Sequence, residues 1–243
     1  MPVEEQRRDA EFINGPLEHE IVRTSMAIIV RNTRPPDFDA IERISRITYP
    51  DDFPWTAEYL ATHLEVFPEG QFVAVDTDTR EVVGMAASLI INWDDYDRLD
   101  SYDEFTDEGW FANHDPFGRT LYGAEMIVDP VRRGEGIGSL IYDARKDFVR
   151  SKGLLRIRAG ARLAHYSLNA AEMSAKDYVR KVIAGEIFDP TLSFQLKRGF
   201  RVLAVVSDYF AHDRRSRGYA AVIEWINDEV ITAEERKRIR TFE

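Results

Sequence analysis

The sequence predicts an α/β (α+β) chain in which strands and helices alternate around one central sheet of about six to seven strands. Short β-branched and apolar runs of strand length recur along it: "MAIIVRN", "QFVAVD", "EVVGMAASLII", "TLYGAEMIV", "LLRIRAG", "FRVLAVV" and "YAAVIEW". Between them lie helical patterns, the plainest being Ile137, Leu140, Ile141, Ala144 and Phe148 at the 3.6-residue period. No repeat, low-complexity stretch or clear linker divides the 243 residues. One domain with two insertions accounts for that length.

In chain order, residues 1–24 mix charge with few apolar positions and read as an N-terminal extension. Residues 25–228 form the domain, and 229–243 a C-terminal tail whose "TAEERKRIR" reads as a short exposed helix. The first strand spans 26–32 and stops at Pro35 and Pro36. Asp37 then sits where it would cap a helix carrying Ile41, Ile44 and Ile47. "QFVAVD" and "EVVGMAASLII" flank the polar "TDTR" and read as a hairpin. Residues 92–119, the first insertion, interleave nine acidic residues with Trp93, Tyr96, Tyr102, Phe105, Trp110 and Phe111. "TLYGAEMIV" ends at Pro130, and the following helix runs to about Lys152, where Gly153 stops it. A second, mostly helical insertion carries caps at Ser174 and Asp189 and stops at Gly185 and Gly199.

The net charge of −11 argues against a nucleic-acid partner, which needs clustered Lys and Arg. The absence of cysteine excludes disulfides, thiolate catalysis and zinc–thiolate sites, and the histidines show no metal-ligand spacing, so no metal is expected. "MPVEEQRRDAEF" has no apolar core, and no apolar run approaches a membrane span. A cytoplasmic location with no membrane contact is the expectation.

The chemistry is most visible in "RRGEGIGS", residues 132–139, which joins a strand to a helix. The first turn of a helix offers free N–H groups and the positive end of the dipole, and an anion placed there meets both. Gly134, Gly136 and Gly138 permit positive φ and remove the Cβ atoms that would hold a diphosphate away. Arg132 and Arg133 add charge at the same place. A P-loop would need Gly-Lys-Ser/Thr, and the dinucleotide pattern needs a differently spaced third glycine, so neither fits.

The spacing Arg133-Gly134-Glu135-Gly136-Ile137-Gly138 after "MIVDP" resembles the acetyl-CoA motif of the GNAT superfamily of N-acetyltransferases. "SFQLKRGFRVL" looks like that family's late helix ending in Gly-Phe. More narrowly, "GARLAHY", "MSAKDYVRKVIAGEIFDPTLSFQL" and "RGYAAVIEW" resemble the GNAT module that precedes a nitrilase-like hydrolase domain in some bacterial proteins. No hydrolase domain is expected here, where the chain stops at Glu243. The resemblance implies a GNAT fold, a mixed and mostly antiparallel sheet with acetyl-CoA as cosubstrate wedged between two central strands. Its pyrophosphate would meet amides of Arg133, Gly134, Gly136, Ile137, Gly138 and Ser139, and its pantetheine would pair with Met126, Ile127 and Val128. It also implies direct acetyl transfer to an amine, and relatives that often dimerise.

An alkyl ammonium must lose a proton before it attacks a thioester. Glu125, on the strand before the cradle at a place where many members of the resembled family carry a Glu acting directly or through water, is the candidate base; the alternative is a solvent-facing or salt-bridged strand residue. An amide of Ile127 or Val128 would hold the oxyanion. Relatives often carry a thiolate-protonating Tyr where this chain has Gln195, so Tyr166 and His165 are the substitutes by proximity. The acidic–aromatic insertion suits a cationic small-molecule amine through ion pairing and cation–π contact, or else packs its aromatics on the domain. Arg214, Arg215 and Arg217 form a basic loop that either reaches an acidic group or is a solvated hairpin tip. The function expected is acetyl-CoA-dependent N-acetylation of a small primary amine. The alternatives are a non-catalytic acyl-CoA sensor and a protein lysine or N-terminal acetyltransferase.

Overall fold

The computed structural model describes residues 28–50, 54–239 and 242; the expected N-terminal extension lies outside them. Seven strands form one open sheet: β1 (Ile28–Asn32), β2 (Phe72–Asp76), β3 (Val82–Ile91), β4 (Thr120–Val128), β5 (Arg156–Arg162), β6 (Arg201–Val206) and β7 (Ala220–Ile226). Their order is β1-β2-β3-β4-β5-β7-β6. Only β4 and β5 are parallel; the other neighbours are antiparallel. The hairpin at 76–82 forms as its sequence predicts, with the Asp76 carboxylate accepting from the Asp78 and Thr79 amides.

One face of the sheet packs against α1 (Phe38–Thr48), α2 (Ala57–Val66) and the first insertion, which contains α3 (Tyr102–Thr106). The other packs against α4 (Ile137–Ser151), α5 (Ala175–Ile183) and α6 (Leu192–Lys197). The tail forms α7 (Ala233–Lys237), opened by a Thr232–Glu235 capping box and tied to the domain by an Arg119–Glu235 ion pair.

Two expectations are corrected, and two further features are settled by packing. Asp37 does not cap α1; its carboxylate accepts from the Arg34 amide and from the Arg31 guanidinium, closing a turn ahead of the helix. Ile47 and Leu140 are exposed, so the apolar stripes of α1 and α4 are narrower than their periodicity implies. Of the two readings of the insertion, packing on the domain is the one its aromatics mostly follow, although Phe117 is exposed. Phe105 and Phe111 are wholly buried, and Trp93 and Tyr96 pack on Phe105. Helix α2 has no strong sequence signature and forms through burial of Leu60 and His63.

Two local irregularities open the sheet. β4 and β5 pair only at Thr120↔Arg156, Leu121↔Ile157 and Tyr122↔Arg158. Beyond those pairs β4 stays with β3 and β5 stays with β7, so the strands part. At the parting point the β3–β4 register jumps from Ala87↔Glu125 to Ser88↔Gly123, which leaves Ala124 as a bulge. Opposite, Gly160 lets the Tyr209 ring lie against β5; a Cβ there would fall 2.1 Å from that ring.

Candidate functional site

The cradle stands at the open end of the gap. Gly134 and Gly136 have φ of 88° and 84°, values that a side chain would strain, and a Cβ at either would face open space. Gly136 is the residue preceding α4, and the amides of Gly134, Gly136, Ile137 and Gly138 donate to no backbone carbonyl among the described residues. These are the groups a diphosphate needs at a helix entrance, so the cradle fits the pyrophosphate of an acyl-CoA. The Ser139 amide differs from the expectation, because it donates to the Gly136 carbonyl at 2.9 Å. Gly138 serves packing as well, since a Cβ there would meet the Phe194 ring at 3.2 Å. Arg132 is taken up by Asp76 at 2.9 Å and Glu135 at 2.6 Å, whereas Arg133 is exposed beside the cradle. Its neighbour's charge is spent locally; Arg133 carries the positive charge at the entrance.

Glu125 lies at the inner end of the gap, partly buried. Its Oε1 accepts from the Met126 amide at 2.8 Å and the Tyr49 hydroxyl at 3.3 Å, and its Oε2 from the Trp55 indole at 3.4 Å. Packing against these groups pushes its pKa above the usual carboxylate range, and the three hydrogen bonds and the Arg162 charge only partly offset that. Tyr49, at the end of α1, has its phenol pushed up by the same burial and by the Glu125 charge. Arg162 stacks over the Tyr49 ring and is held by Asp213. Tyr102 of the insertion is also within electrostatic reach of Glu125. A carboxylate, two phenols and an indole thus line one cleft, which suits an amine and its departing proton.

Strand alternation narrows the oxyanion donor. The Asp129 amide reaches the Val83 carbonyl of β3, and the Met126 amide is held by Glu125. Alternation turns the Ile127 amide toward β3 and those of Met126 and Val128 toward the gap. Val128 is left as the strand donor facing it.

Tyr166 is not brought to this cleft. It is buried against Tyr178 and Tyr219, with its hydroxyl donating to the Met173 carbonyl at 3.3 Å. His165 sits beside it, with its amide on Asp189. Gln195 is buried, and its amide donates to the Tyr142 hydroxyl of α4 at 2.9 Å. Tyr49, Trp55 and Arg162 carry no local signature, because three separate segments bring them to Glu125. Arg145 had one: it falls four residues after Ile141, on the buried stripe of α4.

Comparisons with known proteins agree with this fold. The profile of the acetyltransferase (GNAT) family matches residues 38–171. An uncharacterized N-acetyltransferase, YkwB, from Bacillus subtilis is 32% identical over 83% of this chain and 89% of its own length. The chain belongs to the acetyltransferase (GNAT) family. A probable hydrolase, YhcX, also from Bacillus subtilis, is 37% identical over 90% of this chain, which spans 42% of that relative's length. Among solved structures, the GNAT-like decarboxylase GphF in complex with isobutyryl-CoA superposes with a TM-score of 0.67. It is 22% identical, over 82% of this chain and 98% of that one. The open seven-stranded sheet is the GNAT fold. No helix among the described residues is long and apolar enough to cross a membrane.

Proposed function

We propose that the protein transfers an acetyl group from acetyl-CoA directly to a small primary amine, with Glu125 as the base. The observation that carries this reading is the junction of the two halves: a free-amide cradle at one end of the gap and a carboxylate of raised pKa at the other. Acetyl-CoA supplies an activated thioester. Gly134, Gly136, Ile137 and Gly138 hold its diphosphate through their amides, assisted by Arg133, and Met126 to Val128 align its arm along β4. Glu125 accepts the ammonium proton; a carboxylate with a raised pKa is a stronger base than an exposed one. Val128 N–H faces the developing oxyanion. A thiolate of pKa near 8.5 is a fair leaving group without a dedicated acid. Tyr49, Trp55 and Tyr102 give the acceptor ammonium aromatic faces.

The narrower kinship, to modules that precede a nitrilase-like hydrolase domain, is supported by the identity to YhcX and stands as part of this proposal. A cytoplasmic location follows from the use of acetyl-CoA. One observation favours a second reading, a non-catalytic acyl-CoA sensor: Gln195 stands where a proton-donating Tyr is usual. Calorimetric titration with acetyl-CoA, followed by thiol release against alkyl amines, polyamines, amino sugars and lysine peptides, separates them. Amine-dependent thiol release supports the enzyme, and its best acceptor defines the class. Binding with only background hydrolysis supports the sensor; no binding at high micromolar acetyl-CoA removes both.

A further inference from the structure

Arg145 is a buried cation. It is 2% exposed, yet no acidic side chain among the described residues bonds it. One guanidinium nitrogen, Nη2, instead donates to two main-chain carbonyls, Ala87 and Glu125, each at 2.6 Å. Ala87 and Glu125 face each other across β3 and β4 beside the Ala124 bulge. The guanidinium therefore bridges the two strands through their carbonyls beside the bulge. Room for it comes from Gly123, where a Cβ would lie 3.1 Å from Arg145 Nη1.

The peptide between Glu125 and Met126 is gripped at both ends. Its C=O accepts from Arg145, and its N–H donates to Glu125's own carboxylate at 2.8 Å. Hydrogen bonds in series polarise one another, so a cation on the C=O strengthens the N–H as a donor to the carboxylate. The same grip fixes the rotamer that aims Glu125 between Tyr49 and Trp55. Burying an arginine without a directly bonded anion is costly, and its own pKa is lowered by burial, which the Glu125 charge only partly offsets, so the fold maintains this contact against a penalty.

We propose that Arg145 is a positioning residue that orients and tunes the Glu125 carboxylate through the Glu125–Met126 peptide. This rests on Glu125 being the base. The charged and titratable groups around that carboxylate are Tyr49 from α1, Tyr102 from α3, Tyr142 and Arg145 from α4, and Arg162 from β5 with its partner Asp213. Arg162 remains in every variant below, so a change in Glu125 titration reports on Arg145.

The test is a 13C NMR titration of the Glu125 side-chain carboxyl in the full chain, assigned with Glu125→Gln, in the wild type, Arg145→Lys and Arg145→Gln. Removing the cation is expected to raise the Glu125 midpoint by on the order of one pH unit. Arg145→Lys, which keeps a charge able to donate to both carbonyls, returns most of that shift. In amine-dependent thiol release, Arg145→Gln is expected to lower kcat by roughly 10- to 100-fold with acetyl-CoA affinity retained. In the Glu125→Gln background the same substitution has no further effect. If Arg145→Gln does not fold, Arg145→Lys carries the titration alone, with a smaller upward shift. An unmoved Glu125 midpoint overturns the proposal, as does an equal loss of kcat with and without Glu125. A Glu125→Gln enzyme of normal turnover would instead remove the base assignment itself, which is a separate failure.

Discussion

The donor and acceptor halves of the site are built in opposite ways. The cradle is contiguous: Arg133 to Gly138 supply it from six successive residues, and its geometry follows from two positive-φ glycines at the start of α4. The acceptor cleft is assembled from the end of α1, the segment ahead of α2, the first insertion, β4 and β5, with α4 behind. A contiguous cradle depends little on the rest of the core, whereas the cleft inherits every shift in the packing around it. Mutations should therefore separate the halves.

Glu125→Gln carries the largest expected effect, a fall in kcat of roughly 10²- to 10⁴-fold by stopped thiol release, with acetyl-CoA affinity unchanged by calorimetry. A parallel loss of affinity would mean that the halves are not separate. Phe105→Ala comes next. Phe105 is wholly buried and stacks on Tyr122 and Trp93, so its removal should cost about 3–5 kcal/mol in denaturant unfolding. If the insertion were only a surface flap, the cost would stay below about 1 kcal/mol.

His63 gives a pH-dependent version of the same test. It stacks on Phe111 at 3.8 Å, and its Nε2 contacts the Gly109 carbonyl at 2.7 Å, pinning α2 to the insertion. Burial lowers its pKa to about 4, against 6.5 for a free side chain. Between those values the unfolded chain binds a proton that the folded chain does not. Stability is therefore full above pH 6.5 and is lost as pH falls toward 4, by roughly 3 kcal/mol in total. His63→Phe should flatten that part of the unfolding profile; an unchanged slope would acquit His63. Smallest is Arg133→Ala, expected to weaken acetyl-CoA binding by roughly 1–3 kcal/mol and to leave the Glu125 titration where it was.

The same contrast explains what could be read from the sequence. Gly134 and Gly136 announce themselves because positive φ beside a strand end is a local demand that few residues meet. The strands and α4 were equally legible, being written in periodicity. The carboxylate could be named as the candidate base from its place on the strand before the cradle, but its partners were not visible at all. Tyr49 follows α1 directly, and Trp55 reaches Glu125 across 70 positions of chain. The Tyr166 expectation failed for a related reason: nearness to a strand end in sequence said nothing about Met173, which takes its hydroxyl. An aromatic-rich acidic segment also has two physical solutions, and here Phe105 and Phe111 turn inward, where burial favours them, while Phe117 stays exposed.

The most direct test of the central claim is the pH dependence of kcat/KM for amine-dependent thiol release, compared between the wild type and Glu125→Gln. Glu125 must be ionised to take the ammonium proton, so the wild-type rate should fall as pH drops through a midpoint above the ordinary carboxylate range. In the variant that limb should vanish while acetyl-CoA still binds. A variant that keeps both the limb and the wild-type turnover would contradict the account.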